Sequence, residues 1–253
     1  MVMNTMMRLG MFWGLGAGMF LLRLGQNTHD FDPSTGLYLG GSSGLALGVL
    51  AVAALLLSLL LSLRAKKDRP LFADYFCAPE KSTTVLVAAA FLFAGGGMLT
   101  GLGAFSAELR VAPLITAVLA FISFVCVLLL TRRMRTERAV SVAPVLPLMF
   151  FAAFWVLTLY LPAANDPILA RYWLPVLAAA VSAYAFAQLA GFFRKETKVR
   201  TFRFVAGYAV TLCIAAVAEL NNHSLFFAAC ALLLSVFLAL DEKKIIETES
   251  AES

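Results

Sequence analysis

Charge is scarce in this chain. Only 14% of its 253 residues are Asp, Glu, Lys or Arg, while 61% are hydrophobic, and the mean hydropathy is +0.87. A water-soluble domain carries about one quarter charged residues, so this composition excludes an ordinary soluble enzyme or receptor domain and indicates a membrane protein. Apolar-polar alternation of the kind a β-barrel needs is missing too, so membrane crossing must rely on helices, whose backbone bonds are satisfied internally. No Asp, Glu, Lys, Arg or His falls in the middle of an apolar run. Proton pumping through a relay of buried carboxylates is therefore disfavoured. Of the four cysteines, Cys77 lies in a basic linker and Cys126, Cys213 and Cys230 within apolar runs. None has Cys-x-x-Cys spacing, so they read as small buried hydrophobes.

What is present is a series of long apolar runs. A helix needs about 20 residues to cross the hydrocarbon core. Eight runs approach that length: Leu9–Leu24, Gly44–Leu63, Thr83–Phe105, Val111–Leu130, Ala143–Pro162, Leu169–Phe193, Phe204–Leu220 and Ser224–Leu240. The first resembles a signal peptide in having Arg8 before an apolar stretch, but no small-x-small cleavage site follows, and it is read as retained.

The basic residues sit in clusters between the runs. One side receives Arg8, then those of 64–81, 132–138 and 194–203, then Lys243 and Lys244. The other receives Arg23, Arg110 and Arg171. Lys- and Arg-rich short loops remain cytoplasmic. The expected architecture is all-α: eight transmembrane helices as four hairpins in a bacterial plasma membrane, with both termini cytoplasmic. Residues 1–240 form one transmembrane domain and 241–253 a polar, frayed tail. The net charge of +5 thus concerns membrane orientation and gives no reason to expect nucleic acid as a partner.

Small residues mark possible packing seams. Gly10, Gly14 and Gly18 recur every four residues in the first span, and Gly207, Thr211 and Ala215 in the seventh. Gly95–Gly97, Gly101 and Gly103 suggest a helix break in the third span that could expose backbone to a cavity. The leucine-rich second and eighth spans are expected at the lipid-facing periphery. Phe12, Gly16, Gly18 and Met19 match Phe91, Gly95, Gly97 and Met98 at constant offset, a faint trace of a parallel hairpin repeat.

Polar groups that could bind a solute are few. Glu219 continues the Gly207–Thr211–Ala215 stripe and should face a neighbouring helix, with Arg23, Arg110 or Arg171 as its partner. Tyr184 and Gln188 share a face of the sixth span. Glu219, Tyr184, Gln188 and Arg23 are the candidate substrate-binding residues, and His29, Asp30, Asp32, Glu108, Asp166 and His223 form an expected outer rim. His29-Asp30-Phe31-Asp32 offers the Asp-x-Asp of phosphotransferases, but no soluble domain completes it. Gly41-Ser42-Ser43-Gly44 matches an intramembrane serine protease pattern, but at the wrong depth and order, and fits a helix cap better. No catalytic residue, metal site or cofactor is assigned. In the linker 64–81, Leu71, Phe72, Tyr75 and Phe76 recur at helical spacing between two prolines, as an interfacial anchor or a docking helix for a cytoplasmic protein. Besides the lipid bilayer, that protein is the one partner expected. The leading functional reading is a carrier, or a transporter's membrane subunit, for a small solute. The alternative is a non-transporting assembly subunit, with an outer-interface membrane enzyme third.

Overall fold

The computed structural model describes residues 5–32, 38–63, 65, 69–76, 80–106, 111–135, 141–164 and 169–251. Among them the chain is all-helical. The elements are α1 Thr5–His29, α2 Ser42–Leu63, the single turn α3 Phe72–Tyr75, α4 Glu80–Ser106, α5 Val111–Arg135, α6 Leu146–Ala164, α7 Leu169–Gly191, α8 Val199–Ala216 and α9 Ser224–Ala251. Apart from α3 this gives eight long helices, one for each apolar run. Five of them, α2, α4, α5, α7 and α8, carry stretches long and apolar enough to cross a membrane. Leu146–Leu161 of α6 and Ser224–Leu240 of α9 are apolar but shorter. In α1, Arg8, Arg23 and five glycines dilute the apolar content.

The packing order follows from which faces can be buried. α8 lies between α7 and α1, α9 lies between α8 and α4, α5 joins α4 to α6, and α2 covers the α1–α8 pair from outside. α2 buries only the stripe Leu47, Ala51, Ala54, Ser58, Leu61 and Ser62, with Leu50 and Leu57 half-buried beside it, and leaves Leu45, Leu55, Leu56, Leu59, Leu60 and Leu63 exposed. α8 is buried on nearly every face.

α9 is not peripheral, contrary to the sequence expectation. Phe226, Phe227, Cys230, Leu233, Leu234 and Phe237 are all fully buried. A helix rich in leucine and phenylalanine can be central when its neighbour supplies small residues where its large side chains arrive, and α4 does so. A Cβ on Gly96 would lie 2.5 Å from the Phe226 ring, and one on Gly95 would meet Leu225. On the next face, Gly97 and Gly101 lie against Ala117 and Ala120 of α5. Consecutive helical residues turn by about 100°, so three glycines in a row admit close neighbours on two sides. The glycines therefore serve packing, and α4 runs unbroken to Ser106.

The first-span seam is also displaced. The buried stripe of α1 is Phe12, Gly16, Met19, Arg23 and Gln26, at helical spacing. Gly10, Gly14 and Gly18 face open space, whereas a Cβ on Gly16 would lie 2.9 Å from Ile214 Cβ. The α8 stripe is as expected. Gly207 accommodates the Phe12 ring, and Thr211 donates a hydrogen bond to the Phe12 carbonyl at 3.4 Å. A further bond crosses from α1 to α9, Trp13 Nε1 to Ser235 Oγ at 3.0 Å. The repeat trace does not carry into packing, since Phe12 and Met19 are buried while Phe91 and Met98 are exposed. The segment after Leu240 continues α9 to Ala251.

Candidate functional site

The polar groups gather where α1 ends and α8 closes. α8 finishes in a 3₁₀ turn, Val217–Glu219, with Leu220 in the left-handed region at φ 48°. This turn aims Glu219 back at α1. Arg23 Nε donates to Glu219 Oε1 at 2.8 Å, and Arg23 Nη1 donates to Gln26 Oε1 at 2.5 Å. The Arg23 side chain is 0% exposed and that of Glu219 10%. Asn27 Nδ2 donates to the Ala218 carbonyl at 3.2 Å, locking the same two elements together. Of the three arginines that could have paired with Glu219, Arg23 does so. Arg110 and the side chain of Arg171 lie outside the described residues.

The stretch after α1 is organised around Asp30. α1 runs through Gln26, Asn27 and Thr28 to His29, five residues beyond the apolar run that ends at Leu24. Phe31 and Tyr38 form an isolated antiparallel bridge with their rings 5.5 Å apart. Leu39 N donates to the Asp30 carbonyl at 2.8 Å. The Asp30 carboxylate accepts a hydrogen bond from Ser43 in the first turn of α2. A carboxylate at a helix N-terminus is favoured by the free amides and the helix dipole there. Tyr38 Oη donates to the Gly41 carbonyl at 3.0 Å and reaches Gly44, which also faces Gln26. Asp30 is thus held at the start of α2 by Ser43. His29 is exposed and Asp32 half-buried.

His223 turns inward. Trp155 Nε1 of α6 donates to His223 Nδ1 at 3.2 Å, and the imidazole packs on Phe226. Its backbone N–H donates to Asn221 Oδ1 at 2.9 Å. Burial penalises the imidazolium and lowers the His223 pKa from 6.5 to about 4. A folded pKa below the unfolded one means that the unfolded chain takes up the proton first. The stabilisation is complete above pH 6.5 and is lost as pH falls from about 6.5 to 4, on the order of 3 kcal/mol in all. Protonation also removes the Nδ1 acceptor from Trp155. Thermal unfolding in detergent across pH 7 to 4 should show this loss, and a His223→Gln variant should flatten the profile. An unchanged slope in that variant would place the acid sensitivity elsewhere.

The remaining candidates are dispersed. Tyr184 is 52% exposed on the outer surface of α7, and Gln188 is half-buried with its carbonyl accepting a 2.7 Å bond from Thr197. The structure brings neither into contact with Glu219. Phe72 and Phe76 are buried within the chain's own aromatic cluster. Phe72 stacks on Phe193 at 4.4 Å, and Phe76 meets Phe192, Phe202 and Phe237. Tyr75 stacks on Phe192, and Leu71 is half-buried. Glu108 and Asp166 lie outside the described residues. Among the described residues no three His, Cys, Asp or Glu side chains converge as a metal site.

Gln26, Tyr38 and Trp155 escaped sequence reasoning. Gln26 follows Arg23 by three residues and shares its face, a signal hidden because the apolar run ends at Leu24. Nothing local marked Tyr38 or Trp155, whose partners are contributed by the fold. Comparison of the chain with protein-family models, curated proteins and solved structures returns no match.

Proposed function

We propose that the chain is an integral membrane protein of transport type. It crosses a bacterial plasma membrane eight times with both termini cytoplasmic, residues 1–240 acting as one unit. The carrying observation is the Arg23–Glu219 pair, buried at the α1–α8 junction on the end where basic residues are few. Taking two charges out of water is costly and gains little stability, so such a pair is better suited to specifying or switching a contact than to strengthening it. In this reading the pair is an outer gate. Its separation opens the seam between α1 and α8, and the freed carboxylate and guanidinium meet a small polar solute. His29, Asp32, Glu108 and Asp166 then lie around the entrance.

A second reading, a non-transporting assembly subunit, is favoured by the exposure of Tyr184 and the apolar filling of α8 and α9. Docking through α3 would fall to Leu71 and Tyr75, since Phe72 and Phe76 are occupied internally.

Cysteine labelling in a cysteine-free background separates these readings. Cysteine at His29 should react from outside with a membrane-impermeant maleimide, and cysteine at exposed Lys195 only after permeabilisation. Cysteine at Ala215, one turn deeper along the seam, should react slowly, and roughly tenfold faster once Glu219→Gln weakens the gate by about 1.4 kcal/mol. Equal protection of position 215 in both backgrounds would count against a gate and for a static subunit.

A further inference from the structure

The junction of Arg23 and Glu219 has a direction. The hydrogen bonds of Arg23 and Asn27 cross it with the donor on α1 and the acceptor on the α8 side. Arg23 Nε donates to Glu219 Oε1 at 2.8 Å, and Asn27 Nδ2, one helical turn further along, donates to the Ala218 carbonyl at 3.2 Å. A guanidinium can only donate, whereas an ionised carboxylate and a carbonyl can only accept. The α1 wall thus offers two donors and a positive charge, and the turn Val217–Glu219 offers two acceptors and a negative charge. Gln26 Oε1 accepts from Arg23 Nη1 and fixes the aim of the guanidinium. Arg23 makes further contacts, so what it loses when the junction opens is the Glu219 carboxylate in particular.

Solution lies close by. Glu219 keeps 10% of its side-chain surface exposed, and the neighbouring residues Thr28, His29, Leu220 and Asn221 are exposed. A solute therefore reaches these four groups by displacing one contact layer.

We infer that the solute met by the open junction is a compact zwitterion of the amino-acid type, with a carboxylate and an N–H-bearing ammonium on one carbon. The inference rests on the gate reading above and narrows its solute. An anion alone would satisfy Arg23 and Asn27 but leave Glu219 charged without its partner. A cation alone would do the same to Arg23, and a neutral solute would strand both. Each charge left unpaired in the seam is strongly unfavourable. A zwitterion replaces both partners at once: its carboxylate accepts from Arg23 and Asn27, and its ammonium donates to Glu219 and the Ala218 carbonyl. That carbonyl lies at the C-terminal end of α8, where the helix dipole favours a cation. A quaternary ammonium has no N–H to donate and leaves the carbonyl unmet.

The test is full-length protein in a neutral detergent, with its unfolding midpoint read in glycine or L-alanine. Glycine is the smallest carrier of both groups, and at about 10 times its Kd it should raise the midpoint by about 4 °C. Acetate, methylammonium and glycine betaine lack the ammonium, the carboxylate and the N–H in turn, and none should protect. Asn27→Ala removes one donor without touching the ion pair and should weaken glycine binding about tenfold. Thr28→Ala, whose hydroxyl bonds to the Leu24 and Gly25 carbonyls of its own helix, should leave it unchanged. Indifference to both glycine and L-alanine overturns the proposal, as does equal protection by any of the three analogues or full affinity in a folded Asn27→Ala variant. The wild-type comparison needs no variant, so a misfolded one does not remove the test. Labelling at position 215 reads the gate separately. Faster labelling in Glu219→Gln with no response to glycine overturns the zwitterion and keeps the gate, whereas glycine binding with equal protection of position 215 keeps the site and overturns the gate.

Discussion

Replacing Glu219 with leucine is expected to destabilise the protein by about 3 kcal/mol, and replacing Arg23 with methionine by a similar amount. The reason is the partner left behind. Arg23 has no exposed side-chain surface, so without Glu219 a guanidinium remains in the α1–α8 seam with Gln26 as the neighbour on its Nη1 atom. The double variant Arg23→Met/Glu219→Leu should lie within about 1 kcal/mol of the parent, because two apolar side chains of similar volume carry no desolvation cost. Unfolding of all four proteins in mixed micelles gives the coupling energy directly. Single variants within about 0.5 kcal/mol of the parent would mean that the pair is solvated, and the gate would lose its basis.

The second large effect is at Gly16. Alanine there sets its Cβ 2.9 Å from Ile214 Cβ and 3.1 Å from the Thr211 carbonyl oxygen, both close to the α8 backbone. No side-chain rotation relieves that contact, so α1 must move off α8, at a cost of about 2 kcal/mol. The shift would also strain the Thr211–Phe12 bond and the Arg23–Glu219 pair further along the same seam. Gly14→Ala, two residues away and facing open space, should instead be neutral or stabilising by up to about 1 kcal/mol, because alanine favours helix. Paired unfolding measurements decide the point. Equal effects at the two positions would mean that the seam follows the glycine repeat after all.

That contrast marks how far residue spacing can be read. Gly10, Gly14 and Gly18 have the right period for a seam but not the right face. A glycine is needed where a bulky group arrives from the neighbour, and the arrivals on α1, Ile214 and the Thr211 carbonyl, belong to a helix nearly 200 residues later. The α8 stripe was legible because Glu219 extended it: a charged residue in line with small ones can hardly face lipid. The position of α9 was not legible, because leucine and phenylalanine suit lipid and a tightly packed interior equally well. Gly96 and Gly97 of α4 settle the matter by accommodating Phe226 on one face and α5 on another. The aromatic segment 71–76 announced a short helix with an apolar face. It did not announce that Phe192, Phe193, Phe202 and Phe237 would occupy that face from within the chain.

The sequence by itself determined the helical class, the number of long helices and the scarcity of charge away from their ends. Each follows from local arithmetic, in which about 20 apolar residues span a bilayer and unpaired backbone cannot enter it. Only the tertiary structure decided which helices lie at the centre, which glycines are contacts and which arginine meets Glu219. Those outcomes depend on side chains fitting surfaces far away in sequence, and in lipid that fit, rather than apolar burial, holds helices together.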